Sequence, residues 1–280
     1  MLFGPYGSGK THSIIGLLLR GLKVVVISTD VGGSGLLTVK VPLRRMGRTD
    51  LLANLREVLL YSDEEIKEFC TSPTIYFPDI YDFNPDVLVW EGFSAWQQVE
   101  LSEKIGNMPV ESKHNELSLS VAEGLRFETP QWGMLRNATF RGMDKFCSMH
   151  DPRTGKIWHK VVTCQEGVKS KPKVEGSNTV GGLIDTYEPL LQGAGGVLIS
   201  GAFDLIIRTK EKKGVDEKGN PATEYIYQIR SENARQKVRG IDLPAVMPAD
   251  MYKLWGIIAE QAGIAAGAVD ENLKEAVNEV

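Results

Sequence analysis

The 280-residue sequence has few cysteines, no long apolar run and no excess of basic charge. The three cysteines, Cys70, Cys147 and Cys164, lie far apart and show no CxxC or Cys/His ligand spacing. Neither a disulfide framework nor a zinc site is therefore indicated, and a cytoplasmic location in a reducing compartment is expected.

The apolar runs are too short to cross a membrane, because Arg20 and Lys23 interrupt the longest one, at positions 14–27. A membrane-spanning helix needs about 20 apolar residues, so no membrane partner is expected. The 32 basic and 36 acidic residues give a formal net charge of −4. Contact with nucleic acid therefore requires a local basic patch, since the average field of the protein does not attract a polyanion.

Buried-strand patterns alternate with helical patterns early in the sequence, and a hairpin pattern follows later. The β-branched runs at 23–30 and 86–91 are typical of parallel strands that are covered on both faces. The sequence predicts an α/β fold, with a mostly parallel central sheet flanked by helices and an antiparallel hairpin at its edge. We expect a core at 1–247, which includes an insertion or mobile segment at 97–128, and a C-terminal helical segment at 248–280.

Further elements follow from the same patterns. Helices are expected at 11–20, 50–61, 63–69, 130–149, 248–262 and 271–280, and strands at 158–164, 195–199, 203–208 and 224–230. A turn at 217–220 would join the last two strands into the hairpin. Residues 169–178 are polar and basic, and we expect a loop there.

The strongest motif is a glycine-rich loop between a short strand remnant and a helix. It fits the phosphate-loop pattern GxxxxGK[ST] with Gly4, Pro5, Tyr6, Gly7, Ser8, Gly9, Lys10 and Thr11. In such a loop the glycines let backbone N–H groups point at the phosphates, the lysine neutralises the β- and γ-phosphates, and the threonine hydroxyl group binds Mg²⁺. The sequence therefore predicts binding of ATP and Mg²⁺. The alternative is an accidental glycine-rich turn before a helix.

Three polar residues that follow buried strands are candidates for the remaining chemistry. Phosphoryl transfer needs a carboxylate on the magnesium side and a polar group that orients the attacking water. Glu91 is the candidate magnesium-side carboxylate, Asp30 is the candidate general base, and Gln165 is the candidate sensor of the γ-phosphate. For each, a solvated strand end or a loop cap remains the alternative.

This order of parts resembles the RecA-like recombinase core. It is more closely similar to the short phage RecA-like ATPases, known as phage nucleotide-binding proteins, whose members include single-strand annealing proteins. Residues 161–166 resemble the sensor strand of that family, 203–208 the strand before its hairpin, and 236–244 the basic segment that reaches a neighbour's nucleotide. Two positions depart from the family: Glu91 stands where it usually has Asp, and Asp30 stands where recombinases have Glu.

The resemblance implies a DNA-dependent ATPase of the phage recombination type. Such a protein binds single-stranded DNA as a homo-oligomer, in a ring or a filament, with ATP at the subunit interfaces. A single-strand DNA-binding protein is a further expected partner. By the same resemblance, Lys169, Lys171 and Lys173 would contact the DNA, whereas Lys237 and Arg239 would reach the ATP of the neighbouring subunit. The alternatives are an ordinary solvated charge run for the three lysines and a solvated basic strand end for Lys237 and Arg239.

Two other functions remain open at the level of the sequence. A P-loop assembly or packaging motor would share the same core without a recombination role. A small-molecule kinase would need an arginine-rich lid over the phosphates, and the segment 97–128 contains only Arg126. The rate of ATP turnover with and without single-stranded DNA would discriminate between the recombination protein and the motor.

Overall fold

The computed structural model describes most of the chain. The described residues are 1–29, 36–60, 62, 64–65, 68–69, 78–97, 129–175, 178–191, 200–215, 220–231, 234 and 236–264. Within these ranges, no helix combines the length and the apolar composition needed to cross a membrane.

The described residues form one ten-stranded sheet. Its strands are, in chain order, β1 (Leu2–Gly4), β2 (Val24–Ser28), β3 (Leu55–Leu59), β4 (Val87–Glu91), β5 (His159–Glu175), β6 (Asn178–Pro189), β7 (Leu205–Val215), β8 (Pro221–Gln228), β9 (Lys237–Val238) and β10 (Val246–Pro248). Six of them run parallel in the spatial order β3-β2-β4-β5-β1-β7. The predicted mostly parallel central sheet is therefore confirmed, and β1 lies inside it.

Two hairpins and two short strands extend the parallel centre. β5 continues past the centre and pairs with β6, and β7 pairs with β8, both in antiparallel orientation. β10 and β9 add antiparallel pairings to β8 and β7, respectively. The predicted hairpin is present as β7–β8, whereas the β5–β6 hairpin was not predicted from the sequence.

Helices cover both faces of the sheet. They are α1 (Ile14–Leu19), α2 (Leu37–Arg45), α3 (Pro78–Phe83), α4 (Thr129–Ser148) and α5 (Met251–Ala262). Val24 and Val26 of β2 pack in one core with α1, α2 and α5. Val25 and Ile27 point to the opposite face and pack in a second core with α4. Every residue of β2 and β4 is buried, as in parallel sheets that carry helices on both faces.

The predicted helix at 50–61 is wrong. Residues Thr49–Asn54 form a 3₁₀ turn, and the following residues form β3, which pairs in parallel with β2. The prediction failed because this stretch has leucines four residues apart, as on one face of a helix, at Leu51, Leu55 and Leu59. The pairing of β3 with a fully buried strand outweighs this local pattern, because strand formation depends strongly on the neighbouring strand.

The predicted polar loop at 169–178 is also wrong. β5 continues to residue 175 and β6 begins at residue 178, so Lys169, Lys171 and Lys173 all lie on a strand. The alternation of lysine with Ser170 and Pro172 leaves this stretch without an apolar face that would signal a strand. The stretch is a strand because its backbone pairs with β6.

The predicted helices at 130–149 and 248–262 correspond to α4 and α5, with small changes at their ends. α1 begins at Ile14 and not at Thr11, because residues 11–13 form turns. In the predicted helix at 63–69, residues 64, 65, 68 and 69 are helical, and the other three lie outside the described residues. All or most of the residues in the predictions for 97–128, 195–199 and 271–280 lie outside the described residues.

Helix α5 packs against α1, which follows the glycine-rich loop. Arg20 is buried, and its Nε and Nη2 donate to the Tyr252 carbonyl oxygen at 3.0 and 2.8 Å. Its guanidinium carbon lies 3.8 Å from the centre of the Tyr252 ring. A Cβ at Gly16 would lie 2.4 Å from the Tyr252 nitrogen, and one at Gly256 would lie 2.2 Å from Arg20 Nη2. Gly16 is therefore needed for the close approach of the two helices, and Gly256 leaves room for the Arg20 guanidinium group.

We predict that Gly16→Ala destabilises the protein by about 1–3 kcal/mol, because the added methyl group would push α5 away from α1. This loss should outweigh the gain of about 1 kcal/mol that alanine brings to a helix. Urea denaturation measures the change in the free energy of unfolding. Gly201→Ala is the matched control, because a Cβ there meets nothing within 4 Å, and its effect should stay within about 0.5 kcal/mol. Wild-type stability of Gly16→Ala would contradict the close contact.

Candidate active site

The carboxyl ends of β1, β4 and β2 meet the middle of β5, at Gln165, at one edge of the sheet. Gly4 ends β1 and pairs with Gln165 on β5, while Trp90 on β4 pairs with Val162. Glu91, the last residue of β4, is therefore two strands away from Gly4, with β5 between them. A cleft of about 770 Å³ opens at this edge, which is the size and place expected of a small-molecule site in an α/β protein.

The loop at 4–11 leaves the end of β1 and curves into the turns that precede α1. Gly7 and Gly9 have φ angles of 76° and 82°, in the left-handed region that disfavours side chains. A Cβ at Gly4 would lie 2.2 Å from the Thr209 carbonyl oxygen, so a larger residue would collide with β7. Each glycine of the motif thus has a steric reason of its own.

Hydroxyl groups beside the loop support its shape. Ser8 is buried, and its Oγ lies 2.7 Å from Thr209 Oγ1 on β7. Tyr227 donates to Ser13 Oγ at 2.6 Å, and Ser13 Oγ donates to the Gly9 carbonyl oxygen at 3.0 Å. Burial raises the pKa of the Tyr227 phenol well above its usual range. The phenol therefore stays protonated and remains a hydrogen-bond donor to this chain.

Lys10 directs its ammonium group back into the loop. Its Nζ donates to the Gly4 and Pro5 carbonyl oxygens at 2.8 and 2.7 Å and lies 3.5 Å from Ser8 Oγ. Lys10 also lines the cleft, so a positive charge is held where the loop and the cleft meet. An ammonium group has three rotatable donors and can exchange a carbonyl oxygen for a phosphate oxygen without leaving the loop.

Thr11 connects the loop to the end of β4. Its hydroxyl group donates a hydrogen bond to Glu91 Oε1, and Glu91 is only 6% exposed. Both residues line the cleft next to Lys10. In the described part of the chain, no group of three His, Cys, Asp or Glu residues could hold a metal ion. A hydroxyl group with one carboxylate still fits Mg²⁺, which commonly takes one or two carboxylates and completes its shell with phosphate oxygens and waters.

Gln165 lines the cleft at the root of the β5–β6 hairpin. Its N–H donates to Ser94 Oγ at 3.0 Å, and its carbonyl oxygen accepts from the Leu190 N–H at 2.6 Å. The preceding residue, Cys164, also borders the cleft, but burial raises the pKa of its thiol to about 12. That thiol is protonated at neutral pH and is therefore a poor nucleophile.

The far wall of the cleft contains residues that were not predicted from the sequence. β8 contributes Tyr225, whose ring would lie 3.7 Å from a Cβ at Gly9. Asp250 caps α5, since its side chain accepts from the Lys253 N–H at 3.1 Å, and it pairs with Lys253 Nζ at 3.4 Å. An Asp before an apolar helical pattern signals a helix start. No local pattern shows that this helix starts beside the glycine-rich loop.

Three of the other predicted residues are not brought into this cleft by the described structure. Asp30 lies outside the described residues. Lys237 pairs with Ile206, the residue before the one that pairs with the start of β1. Lys237 therefore lies where the parallel strands begin, at the edge of the sheet opposite the cleft. Arg239 lies close by, with its side chain 73% exposed and 4.0 Å from Asp204. The two cations are thus remote from the glycine-rich loop.

The three lysines predicted to contact DNA lie along β5 in the β5–β6 hairpin. Lys169 forms an ion pair with Glu188 across the hairpin. The side chains of Lys171 and Lys173 lie outside the described part of the structure. The hairpin sequence also carries four carboxylates, Glu166, Glu175, Asp185 and Glu188. By formal charge the hairpin is therefore not basic overall.

Comparison with protein-family models gives no match for this chain, and comparison with curated proteins gives none either.

Proposed function

We propose that the chain is a P-loop ATPase that binds ATP and Mg²⁺ in the cleft and hydrolyses ATP there. One arrangement carries the proposal: Lys10 lies in a glycine-rich loop at the end of a buried parallel strand, and Thr11 contacts the strand-end carboxylate Glu91. The motif requires a lysine for the phosphates and a hydroxyl group for magnesium at adjacent positions. An accidental glycine-rich turn would have no reason to meet a buried acid from a second strand.

Each residue has a distinct role in this proposal. Lys10 binds the β- and γ-phosphate oxygens and stabilises the negative charge that develops on them. Thr11 and Glu91 would hold Mg²⁺, which supplies further charge neutralisation when it is bound. Gln165 senses the γ-phosphate and orients the attacking water, and Asp30 is the proposed general base.

We further propose a DNA-dependent ATPase of the phage recombination or single-strand annealing type, with a RecA-like fold. The topology supports this: β5 lies between the loop strand β1 and the carboxylate strand β4, and it runs from Gln165 directly into a hairpin. A ligand on that hairpin would act on the same strand as the sensor. Single-stranded DNA, a single-strand DNA-binding protein and further copies of this chain are the partners that belong to this proposal.

A P-loop assembly or packaging motor without a recombination role is the second candidate. The charge of the hairpin supports it, because Lys169 is already paired with Glu188 and carboxylates outnumber the three predicted DNA-contacting lysines. Binding of single-stranded DNA depends on cations that replace the counterions of the phosphates. DNA dependence is therefore the property that separates the two candidates.

We predict that Lys10→Ala lowers the rate of ATP hydrolysis by about 10²–10³-fold or more and weakens ATP binding, because the phosphates lose a preorganised positive charge. Phosphate release measures hydrolysis, and the fluorescence of a labelled ATP analogue measures binding.

Glu91→Gln should retain binding and slow turnover in the same two assays, since it disturbs only the magnesium side of the site.

Lys23→Ala is the matched control for these variants, because Lys23 is an exposed lysine just before β2, at the opposite edge of the sheet. It should leave binding and turnover unchanged. Wild-type turnover by Lys10→Ala would refute the ATPase proposal.

Single-stranded DNA is expected to raise the rate of ATP turnover. Replacing Lys169, Lys171 and Lys173 with alanine should weaken DNA binding and reduce the slope of log affinity against log salt, by up to about 0.7 for each phosphate that the variant no longer neutralises. Fluorescence anisotropy of a labelled oligonucleotide over a range of salt concentrations measures both quantities. The matched control is the triple alanine variant of Lys210, Lys212 and Lys213, which removes the same charge from the β7–β8 hairpin.

An equal loss of affinity in the control variant would mean that overall charge, and not the β5–β6 hairpin, determines binding. Turnover that does not respond to DNA, together with unchanged affinity in the β5–β6 variant, would favour the motor.

The position of Lys237 and Arg239 supports a shared active site. They lie at the sheet edge opposite the cleft, so a head-to-tail contact between two copies could bring this edge of one subunit to the cleft of the next. Cations supplied in trans stabilise the charge that develops in phosphoryl transfer, and arginine fingers contribute about 10³–10⁵-fold in rate. We therefore propose that the two cations complete the neighbour's site.

The double variant Lys237→Ala/Arg239→Ala is expected to bind ATP and to hydrolyse it poorly. Mixing it with Lys10→Ala protein should restore part of the activity, because a mixed interface can combine an intact loop with intact cations. Phosphate release from mixtures that are shown to co-assemble measures the rescue. Full activity of the double variant alone, or no rescue in co-assembled mixtures, would count against the shared site.

A further inference from the structure

Beyond the glycine-rich loop, the sheet divides into two hairpins. β1 pairs with β5 as far as Gly4 and Gln165, and with β7 as far as Phe3 and Arg208. The chain then leaves the sheet to form the loop. The β5–β6 and β7–β8 hairpins continue on either side, and no described strand lies between them. The side chain of Arg208 crosses this gap.

The Arg208 guanidinium group contacts both hairpins. Its Nε and Nη2 donate to Oε2 and Oε1 of Glu166 at 2.5 and 3.0 Å, which is a bidentate pair. Its carbon lies 3.6 Å from the centre of the Tyr187 ring on β6, and its Nη1 donates to Gln228 Oε1 on β8 at 3.1 Å. The side chains of Arg208 and Glu166 are only 11% and 8% exposed. Salt and water therefore screen this pair much less than a surface pair.

Glu166 directly follows Gln165 in β5, whereas Arg208 belongs to β7 on the other side of the loop strand. We propose that Arg208 is a positioning residue for ATP hydrolysis: by holding Glu166, it sets the distance between the Gln165 side chain and the phosphates bound at the loop. This inference rests on the proposed function of the cleft. Arg208 itself need not touch ATP, since Glu166, Tyr187 and Gln228 already engage its guanidinium group.

The double variant Arg208→Met/Glu166→Gln tests the proposal, because it removes both charges and avoids a buried carboxylate without its partner. We expect kcat for ATP to fall by about 10–100-fold, since a misplacement of about 1 Å can cost that much. KM for ATP should change by less than about twofold, because the loop is untouched. In a Gln165→Ala background, the same double change should lower kcat by less than about twofold, because the side chain that it positions is gone.

Amide hydrogen exchange without ATP gives a readout that does not depend on activity. In the double variant, the hairpin root at 166–168 and 187–189 should exchange at least about 10-fold faster, while β4 should remain unchanged. Arg208→Lys retains the charge without the bidentate fork and should show a smaller effect in both assays. The matched control, Arg230→Met/Asp242→Asn, removes an exposed pair whose residues do not line the cleft and should change neither.

Three results would overturn the inference: an equal fall in kcat in both backgrounds, a rise in KM at constant kcat, or unchanged exchange at the hairpin root. Absence of ATP turnover in the wild-type protein would refute the proposed function, and with it the role of Arg208 in hydrolysis. Faster exchange confined to the root in the double variant would then show that Arg208 holds the hairpin for another purpose.

Discussion

The pairing of β1 with β5 on one side and β7 on the other determines the geometry of the whole cleft. β1 has only three residues, all of them buried. Their register places the glycine-rich loop next to Gln165 on one side and next to Thr209 on the other. A shift by one residue would exchange the two faces of the strand, and both faces are packed against buried cores. The loop, the position of Gln165 and the support beneath the loop therefore depend on one register.

The cleft also depends on a contact between two helices that are far apart in the sequence. α5 brings Asp250 and Lys253 to the far wall, more than 230 residues from the loop along the chain. It is held there by the close contact with α1 at Gly16 and by the buried Arg20. A ligand that bridges the loop and the far wall would bind the folded state alone, so its binding would stabilise the packing of α5 on α1.

The parts of the fold that local patterns specify could be predicted from the sequence. The glycine-rich loop has a fixed spacing of glycine, lysine and threonine, and β2 and β4 are short β-branched runs that are buried on both faces. Glu91 is recognisable because it ends such a run. The α/β class and the mostly parallel sheet follow from the alternation of these runs with helical patterns.

The remaining parts depend on pairings that the local sequence does not reveal. β3 carries leucines at helical spacing and becomes a strand only because β2 offers it an edge. The distal half of β5 has no apolar face, so only its pairing with β6 shows that it is a strand. Tyr225 and Asp250 reach the cleft through the packing of β8 and α5 around the loop, which no spacing in the sequence specifies.

β5 is a single strand of 17 residues that begins in the interior and ends in the hairpin. At about 3.3 Å per residue, the part after Gln165 extends for about 30 Å. The Debye length at physiological ionic strength is about 8 Å, so a charge near the tip of the hairpin is screened from the cleft. If the two ends communicate, the signal would have to be mechanical, through the stiffness of the strand. The register shift between Pro172 and Val174 marks a place where β5 can bend.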